Sequence, residues 1–166
     1  MQLSSRSTGA QALALLLFVA VTLVAAAIGA LASVHARSFY MQLDLPLWAP
    51  PASLFGPVWS VLYVLMALSG WLFWRRARGA RLRQGLLAFG AQLAANALWS
   101  WLFFVWHWGA EATALAALLA VLVAWTAAVF CRACRLAAVL LLPYLAWVSF
   151  ATVLAGTIWW RNPALL

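Results

Sequence analysis

The chain has 166 residues, 69% of them apolar, and its charged side chains are ten Arg, Asp44 and Glu111, with no Lys. Soluble domains carry about 45–50% apolar residues, and the uncharged intervals here, 7–36, 45–74, 84–110, 112–131 and 136–160, are each 20 residues or longer. About 20 apolar residues cross roughly 30 Å of hydrocarbon as a helix, so this pattern excludes a soluble enzyme domain, a disordered chain and a disulfide scaffold. It predicts one all-α membrane domain over 1–166, a bundle of five transmembrane helices.

The predicted spans cover about 11–33, 56–74, 86–106, 111–130 and 136–160. Span one is rich in Ala, Leu and Val, with Thr22 and Gly29 as its main small or polar interruptions. Its apolar run, Ala12 to Ala32, exceeds the 7–15 residues of a signal-peptide core, so a retained helix is expected. Residues 34–52 form the long connection. Pro46, Pro50 and Pro51 forbid a continuous helix there and favour an extended path. Phe39, Tyr40, Leu43, Leu45, Leu47 and Trp48 are too apolar for a solvated linker, which predicts a cap folded back onto the bundle. Span two opens at Gly56-Pro57, where proline suits a first helical turn. Spans three and four make a tight hairpin across residues 107–110. Span five contains Pro143, an expected kink.

Five spans alternate the connections between two sides. Arg6, Arg75, Arg76, Arg78, Arg81, Arg83, Arg132 and Arg135 fall on one side, and Arg37 and Arg161 with Asp44 and Glu111 on the other. Positive loops stay inside, so the N-terminus is expected in the cytoplasm and the C-terminus outside, in a bacterial inner membrane. Against the net charge of +8, this placement argues for contact with anionic headgroups rather than nucleic acid. Cys131 and Cys134 form a C-x-x-C beside Arg132 and Arg135. That spacing fits a redox pair or half a zinc site, but there is no second pair, and His35 and His107 belong near the other face. Two reduced thiols at a helix end are expected, and no metal site.

Chemistry in the spans is carried by aromatics and amides. Of the 12 tryptophans, Trp71, Trp74, Trp106, Trp108, Trp159 and Trp160 fall at span ends, where indoles anchor at headgroup level. Trp59, Trp99 and Trp147 lie deeper. Trp59 and Tyr63 share a face of span two. Gln92, Asn96 and Ser100 form an i, i+4, i+8 stripe on span three, beside Trp99 and Phe103. Tyr144, Trp147, Ala151 and Leu154 line a face of span five. Amides in hydrocarbon require partners, so Gln92 and Asn96 should face inward. They serve either as glue between helices or as the orienting groups of an aromatic pocket for a flat ligand. Gly90 and Ala94, with Ala91 and Ala95, make a small-xxx-small pattern suited to helix pairing. Apart from Glu111 at the edge of the fourth span no carboxylate lies within a span, and no catalytic or metal constellation can be assembled. The uncharged spans also favour a lidded site over a polar channel, and no inverted repeat suggests a secondary transporter.

Trp48-Ala-Pro-Pro51, Phe55-Gly-Pro-Val-Trp59 and Leu62-Tyr63, followed by Ala91-Gln-Leu-Ala-Ala-Asn96-Ala-Leu-Trp99-Ser-Trp-Leu-Phe-Phe104 and Pro143-Tyr-Leu-Ala-Trp147-Val-Ser-Phe-Ala151, resemble the motifs of the TspO/MBR family. This family comprises the bacterial tryptophan-rich sensory proteins and the mitochondrial translocator protein (peripheral benzodiazepine receptor). The resemblance implies a five-helix bundle, commonly a homodimer, that binds tetrapyrroles such as protoporphyrin, sterols and benzodiazepine-like ligands beneath the first loop. No covalently bound cofactor is implied. Carried over by position, Trp59, Tyr63, Asn96, Trp99, Ser100, Trp147 and Ala151 would line the pocket. Tyr40 and Trp48 would belong to the lid, Leu154 to the wall, and Gly90 and Ala94 to the dimer interface. It further implies porphyrin or sterol transport, or light-dependent porphyrin degradation through Trp59 and Trp147, as alternatives to sensing. The sequence departs from the family pattern at Phe39-Tyr40, at Leu154-Ala155, where a Leu-Asn pair is usual, and at Gly156 and Trp160. The last two replace the Tyr and Arg of the sterol-recognition pattern.

Overall fold

The computed structural model describes residues 6–166. Among these residues seven α-helices run α1 Thr8–Ala32, α2 Ala36–Tyr40, α3 Phe55–Arg76, α4 Gly79–Phe104, α5 Gly109–Cys131, α6 Arg135–Val139 and α7 Leu142–Arg161, with a 3-10 turn at Ala52–Leu54. Five segments are long and apolar enough to cross a membrane, with α6 and α7 together making the fifth. The chain is an integral, multi-pass membrane protein.

Composition decides which way each helix faces. In α1 the buried positions are Ala14, Phe18, Thr22, Ala25, Gly29 and Ala32, a stripe at helical period made mainly of small residues. Leu13, Leu16, Leu17, Leu23, Val24 and Leu31 point outward. Lipid accepts the large aliphatics, while small side chains let backbones approach. Two glycines mark such approaches. A Cβ at Gly70 would stand 2.5 Å from the Phe18 ring, and one at Gly85 would stand 2.2 Å from the Phe73 ring. Phe73 stacks in turn on Phe130, centroids 4.0 Å apart, so aromatic rings fill the core at the Arg-rich end.

Going round the bundle the neighbours run α1, α4, α5, α6–α7, α3 and back to α1. Sequence-adjacent α3 and α4 are joined by only Ala77 and Arg78, with Gly79 supplying the positive φ of 55° that starts α4. The expected loop over 75–83 is therefore mostly helix. Arg81 and Arg83 extend the third span beyond its predicted start at 86, because arginines at the membrane edge do not stop a helix. The α4–α5 turn falls at Val105–Trp108, with His107 at φ 56°. The fifth span is broken rather than gently kinked. Leu140 and Leu141 separate α6 from α7, and Pro143 sits in the first turn of α7, where its missing N–H costs nothing.

The connection after α1 folds back as a cap, and it contains the short helix α2 where an extended path was expected. Tyr40 and Leu43 are buried in one cluster with Leu102, Phe103, Ala112, Leu154, Ala155 and Ile158. Phe39 stacks on His107 at 4.2 Å, and the Tyr40 hydroxyl donates to the Pro50 carbonyl at 3.0 Å. A clasp fixes the far end of the cap. The Asp44 N–H donates to Asn162 Oδ1 at 2.7 Å, and Asn162 Nδ2 donates to the Asp44 carbonyl at 3.1 Å. Arg161 closes a bidentate pair on the Asp44 carboxylate at 2.7 and 3.0 Å.

Candidate functional site

Beneath the cap lies a cavity of about 670 Å³ enclosed by α1, α2, α3, α4 and α7. α3 supplies Phe55, Trp59, Tyr63 and Ala67 at successive turns, α4 supplies Asn96, Trp99, Ser100 and Phe104, and α7 supplies Trp147 and Ala151. Tyr40, Ala36 and Arg37 come from the cap. The helical period alone brings these groups together, since each set repeats at three or four residues and so projects from one side of its helix.

The polar groups are organised by Asn96, only 5% exposed. Its Oδ1 accepts from the Tyr63 hydroxyl at 2.8 Å, and its Nδ2 donates to the Tyr144 hydroxyl at 3.0 Å. One amide thus joins α3, α4 and α7 at the cavity wall. Tyr63 and Ser100 face the cavity and Tyr144 is wholly buried behind it. Around this chain the rings interlock. Trp59 lies 5.6 Å from Tyr63 and 6.0 Å from Tyr144, while Phe55 meets Trp147 edge-on at 5.9 Å. Burial of Tyr40 raises its phenol pKa above the ordinary value, so the roof presents a neutral hydroxyl.

Eight of the ten candidate ligand residues, Tyr40, Trp59, Tyr63, Asn96, Trp99, Ser100, Trp147 and Ala151, line this one space. Trp48 and Leu154 do not. Trp48, 48% exposed, packs edge-on against Phe150 at 5.8 Å. Phe150 in turn packs on Trp147 at 5.6 Å, which puts Trp48 one ring outside the wall. Leu154 is buried under the cap against Tyr40 and Leu43, because seven residues carry it two turns past Trp147. Of the α4 stripe, Gln92 stops short of the cavity. It is 1% exposed and neither amide atom has a hydrogen-bond partner. The Trp99 Nε1–H is likewise buried without an acceptor.

The wall contributed by α1 went unseen in the sequence: Val19, Thr22, Leu23, Ala26, Gly29, Ala30 and Ser33. Its signal was present in the regular spacing of Thr22, Gly29 and Ser33 through an otherwise aliphatic helix. A Cβ at Gly29 would stand 3.3 Å from Ser100 Oγ and 3.9 Å from the Tyr63 hydroxyl, so this glycine brings α1 up to the polar groups. Val19, Leu23 and Val64 line the cavity on the α1 and α3 sides and are themselves exposed. Arg37 is the one charged residue on the lining. It has no acidic partner among the described residues.

Elsewhere, Gly90 and Ala94 face outward on α4 with Leu87, Ala91 and Leu98. Ala95 instead belongs to the core. Cys131 is exposed and Cys134 buried, both free, and the Arg76 guanidinium donates to Cys134 Sγ at 3.2 Å. Gly156 packs against Thr113 of α5, 3.2 Å from where its Cβ would be. That position therefore faces a helix interface and not the cavity.

Fold and site together define a polytopic membrane protein with an aromatic-walled chamber inside the bilayer, closed at one end by its first loop. The TspO/MBR family model matches residues 17–161, and the chain belongs to that family. It is 35% identical over 137 residues to the tryptophan-rich protein TspO of Chlorobaculum tepidum, covering 75% of this chain and 80% of the relative. The human translocator protein is 36% identical over 132 residues, covering 75% of each. The tryptophan-rich sensory protein of Cereibacter sphaeroides is 36% identical over 128 residues, covering 75% and 79%.

Proposed function

We propose that this protein is a membrane-embedded binding and sensory protein for tetrapyrroles, held in the chamber beneath the cap. The observation that carries this reading is the match of chamber to ligand. A volume of about 670 Å³ lies within the range of small-molecule sites, roughly 300–1,000 Å³. Its indole and phenyl faces suit a flat macrocycle, and Asn96, Tyr63 and Ser100 give it one polar side. Arg37 at the roof favours a porphyrin, which carries carboxylates, over a neutral sterol. Gly90 and Ala94 on the outer face of α4 are the proposed homodimer contact, where small side chains permit close helix approach.

Titration with protoporphyrin tests the reading by quenching of tryptophan fluorescence. Saturable quenching is expected, weakened at least tenfold by combined Trp59→Phe, Asn96→Ala and Trp147→Phe, and weakened by Arg37→Gln for the free acid but not for its dimethyl ester. Quenching indifferent to the triple change would refute the placement. Light-driven degradation is a second reading, favoured by Trp59 standing in a chain of rings with Tyr63 and Tyr144. Illuminating the complex in air separates the two. A product lost in Trp59→Phe and Trp147→Phe while binding persists supports an enzyme, and no product in the unaltered protein refutes it.

A further inference from the structure

A second, smaller cleft of about 140 Å³ lies at the opposite, Arg-rich end, between the start of α1 and the end of α3, lined by Arg6, Gln11, Leu72, Arg75 and Arg76. We propose that this cleft binds a phosphate anion, carried by the headgroup of an anionic phospholipid. The site is independent of the chamber and of the ligand proposed for it.

Three arginines, Arg6, Arg75 and Arg76, line this cleft with no carboxylate to neutralise them. Asp44 is paired with Arg161 and Glu111 opens α5, both at the other end of the bundle. Like charges brought together repel unless an anion joins them. Burial, and next the charge of Arg78, depress the Arg6 pKa, the direction a bound anion would reverse. The three side chains are also held in place rather than waving in water. Arg6 lies 3.5 Å over the Trp74 ring and donates to the Ala77 carbonyl at 3.2 Å. Arg75 lies 4.6 Å over Trp71, and Arg76 is tethered to Cys134 Sγ. Gln11 braces the arrangement: its amide donates to the Arg6 carbonyl at 2.7 Å, and its own carbonyl accepts from the Trp71 indole at 3.0 Å.

These contacts leave most of the guanidinium donors unused. Arg6 Nε is buried with no partner among the described residues, and such an orphan donor is costly unless an acceptor occupies the cleft. Arginine forks match phosphate oxygens in geometry as well as charge. The surroundings favour a lipid as the carrier. Trp71 and Trp74 belong to the headgroup-level belt, and Leu13, Leu16 and Leu17 are exposed on α1 just beyond, where an acyl chain would lie.

Native mass spectrometry of the full chain, released from bilayer discs of equimolar phosphatidylglycerol and phosphatidylcholine, reads the site directly. One phosphatidylglycerol should be retained at least fivefold over phosphatidylcholine. Arg6→Gln/Arg75→Gln/Arg76→Gln should abolish that preference. Arg81→Gln/Arg83→Gln/Arg135→Gln, which removes equal charge from the same end, should keep it. Equal loss in both variants would reduce the effect to diffuse charge and overturn the proposal. No preference in the unaltered protein would overturn lipid as the carrier, a result that needs no variant to fold. In that event, millimolar inorganic phosphate raising the melting temperature of the delipidated unaltered protein, and not of the first variant, would uphold the phosphate site with a soluble occupant. Absence of that shift as well would overturn the site itself.

Discussion

Replacing Asn96 with Ala removes both hydrogen bonds that tie α4 to α3 and α7. Side-chain hydrogen bonds between helices in a membrane contribute about 0.6 kcal/mol on average and up to about 1.7, so losing two costs on the order of 1–2 kcal/mol. The stranded groups add to this unequally. Tyr63 borders the chamber and finds other partners there, whereas Tyr144 is 0% exposed and a buried hydroxyl left alone costs about 1–3 kcal/mol. Asn96→Ala is therefore expected to destabilise the bundle by about 2–4 kcal/mol. Adding Tyr144→Phe takes away the stranded hydroxyl, so the double variant should be more stable than Asn96→Ala alone by about 1 kcal/mol, even though Tyr144→Phe by itself is destabilising. Unfolding in mixed micelles under increasing dodecyl sulfate, followed by tryptophan emission, measures all four proteins. A cost below about 0.5 kcal/mol for Asn96→Ala, or simple additivity in the double variant, would refute the three-helix junction.

Further expectations follow from the packing and the cap. Gly85→Ala pushes a methyl into the Phe73 ring, 2.2 Å away and backed by Phe130, and overpacking of this kind costs about 1–3 kcal/mol. Gly90→Ala on the same helix meets nothing within 4 Å and should be neutral in the same micelle assay; equal effects would mean the helix is rotated from the orientation described. Gly90→Trp should shift the protein from dimer to monomer in light-scattering chromatography if that outer face pairs, and unchanged dimers would remove α4 from the interface. Gly29→Leu fills the chamber beside Ser100 and should weaken porphyrin quenching at least tenfold while helicity is retained, whereas normal quenching would mean that the ligand lies elsewhere. Hydrogen bonding to Arg161 holds the Asp44 carboxyl below its ordinary pKa, so the clasp is at full strength above about pH 4, the unfolded value. It weakens as pH falls through the lower folded value. The protection of amides in residues 41–50, read as the exchange rate relative to the intrinsic rate at the same pH, should fall only in that acid range, and Asp44→Asn should lower it at neutral pH; protection that falls as the pH is raised from about 5 to 7 would contradict the sign.

The span count was legible because hydrocarbon is an unforgiving solvent: charges end where it begins, and Arg6, Arg37, Asp44, Arg75 and Glu111 flank the segments they delimit. Boundaries were less so. Arg81 and Arg83 looked like a loop but ride on α4, since guanidinium groups on flexible stems reach water from a helix that has already begun. Pro143 announced an interruption correctly in kind, but its missing N–H acts one turn upstream, so the break falls at Leu140–Leu141. Within the site, residues with unusual chemistry for a membrane were readable. Asn96, Tyr63 and Trp59 needed only the helical period to be placed on inner faces. The α1 wall was signalled only by the spacing of Thr22, Gly29 and Ser33, because Ala26 and Gly29 bring no chemistry of their own and their role comes from what they leave empty. Trp48 and Leu154 show the converse. The helical face of Leu154 suggested the chamber wall, and tertiary packing put it under the cap instead; Trp48, expected in the lid, packs there on Phe150 without reaching the chamber lining.

Covalent filling of the chamber shows whether porphyrin binds there. With Cys131 and Cys134 replaced by Ser, a single cysteine is introduced either at Ala151, on the chamber wall, or at Val153, two residues on and 61% exposed to lipid, and each is labelled with a bulky maleimide. Label at 151 should abolish saturable protoporphyrin quenching, and the same label at 153 should leave it intact. Undiminished quenching with position 151 fully labelled would contradict the account.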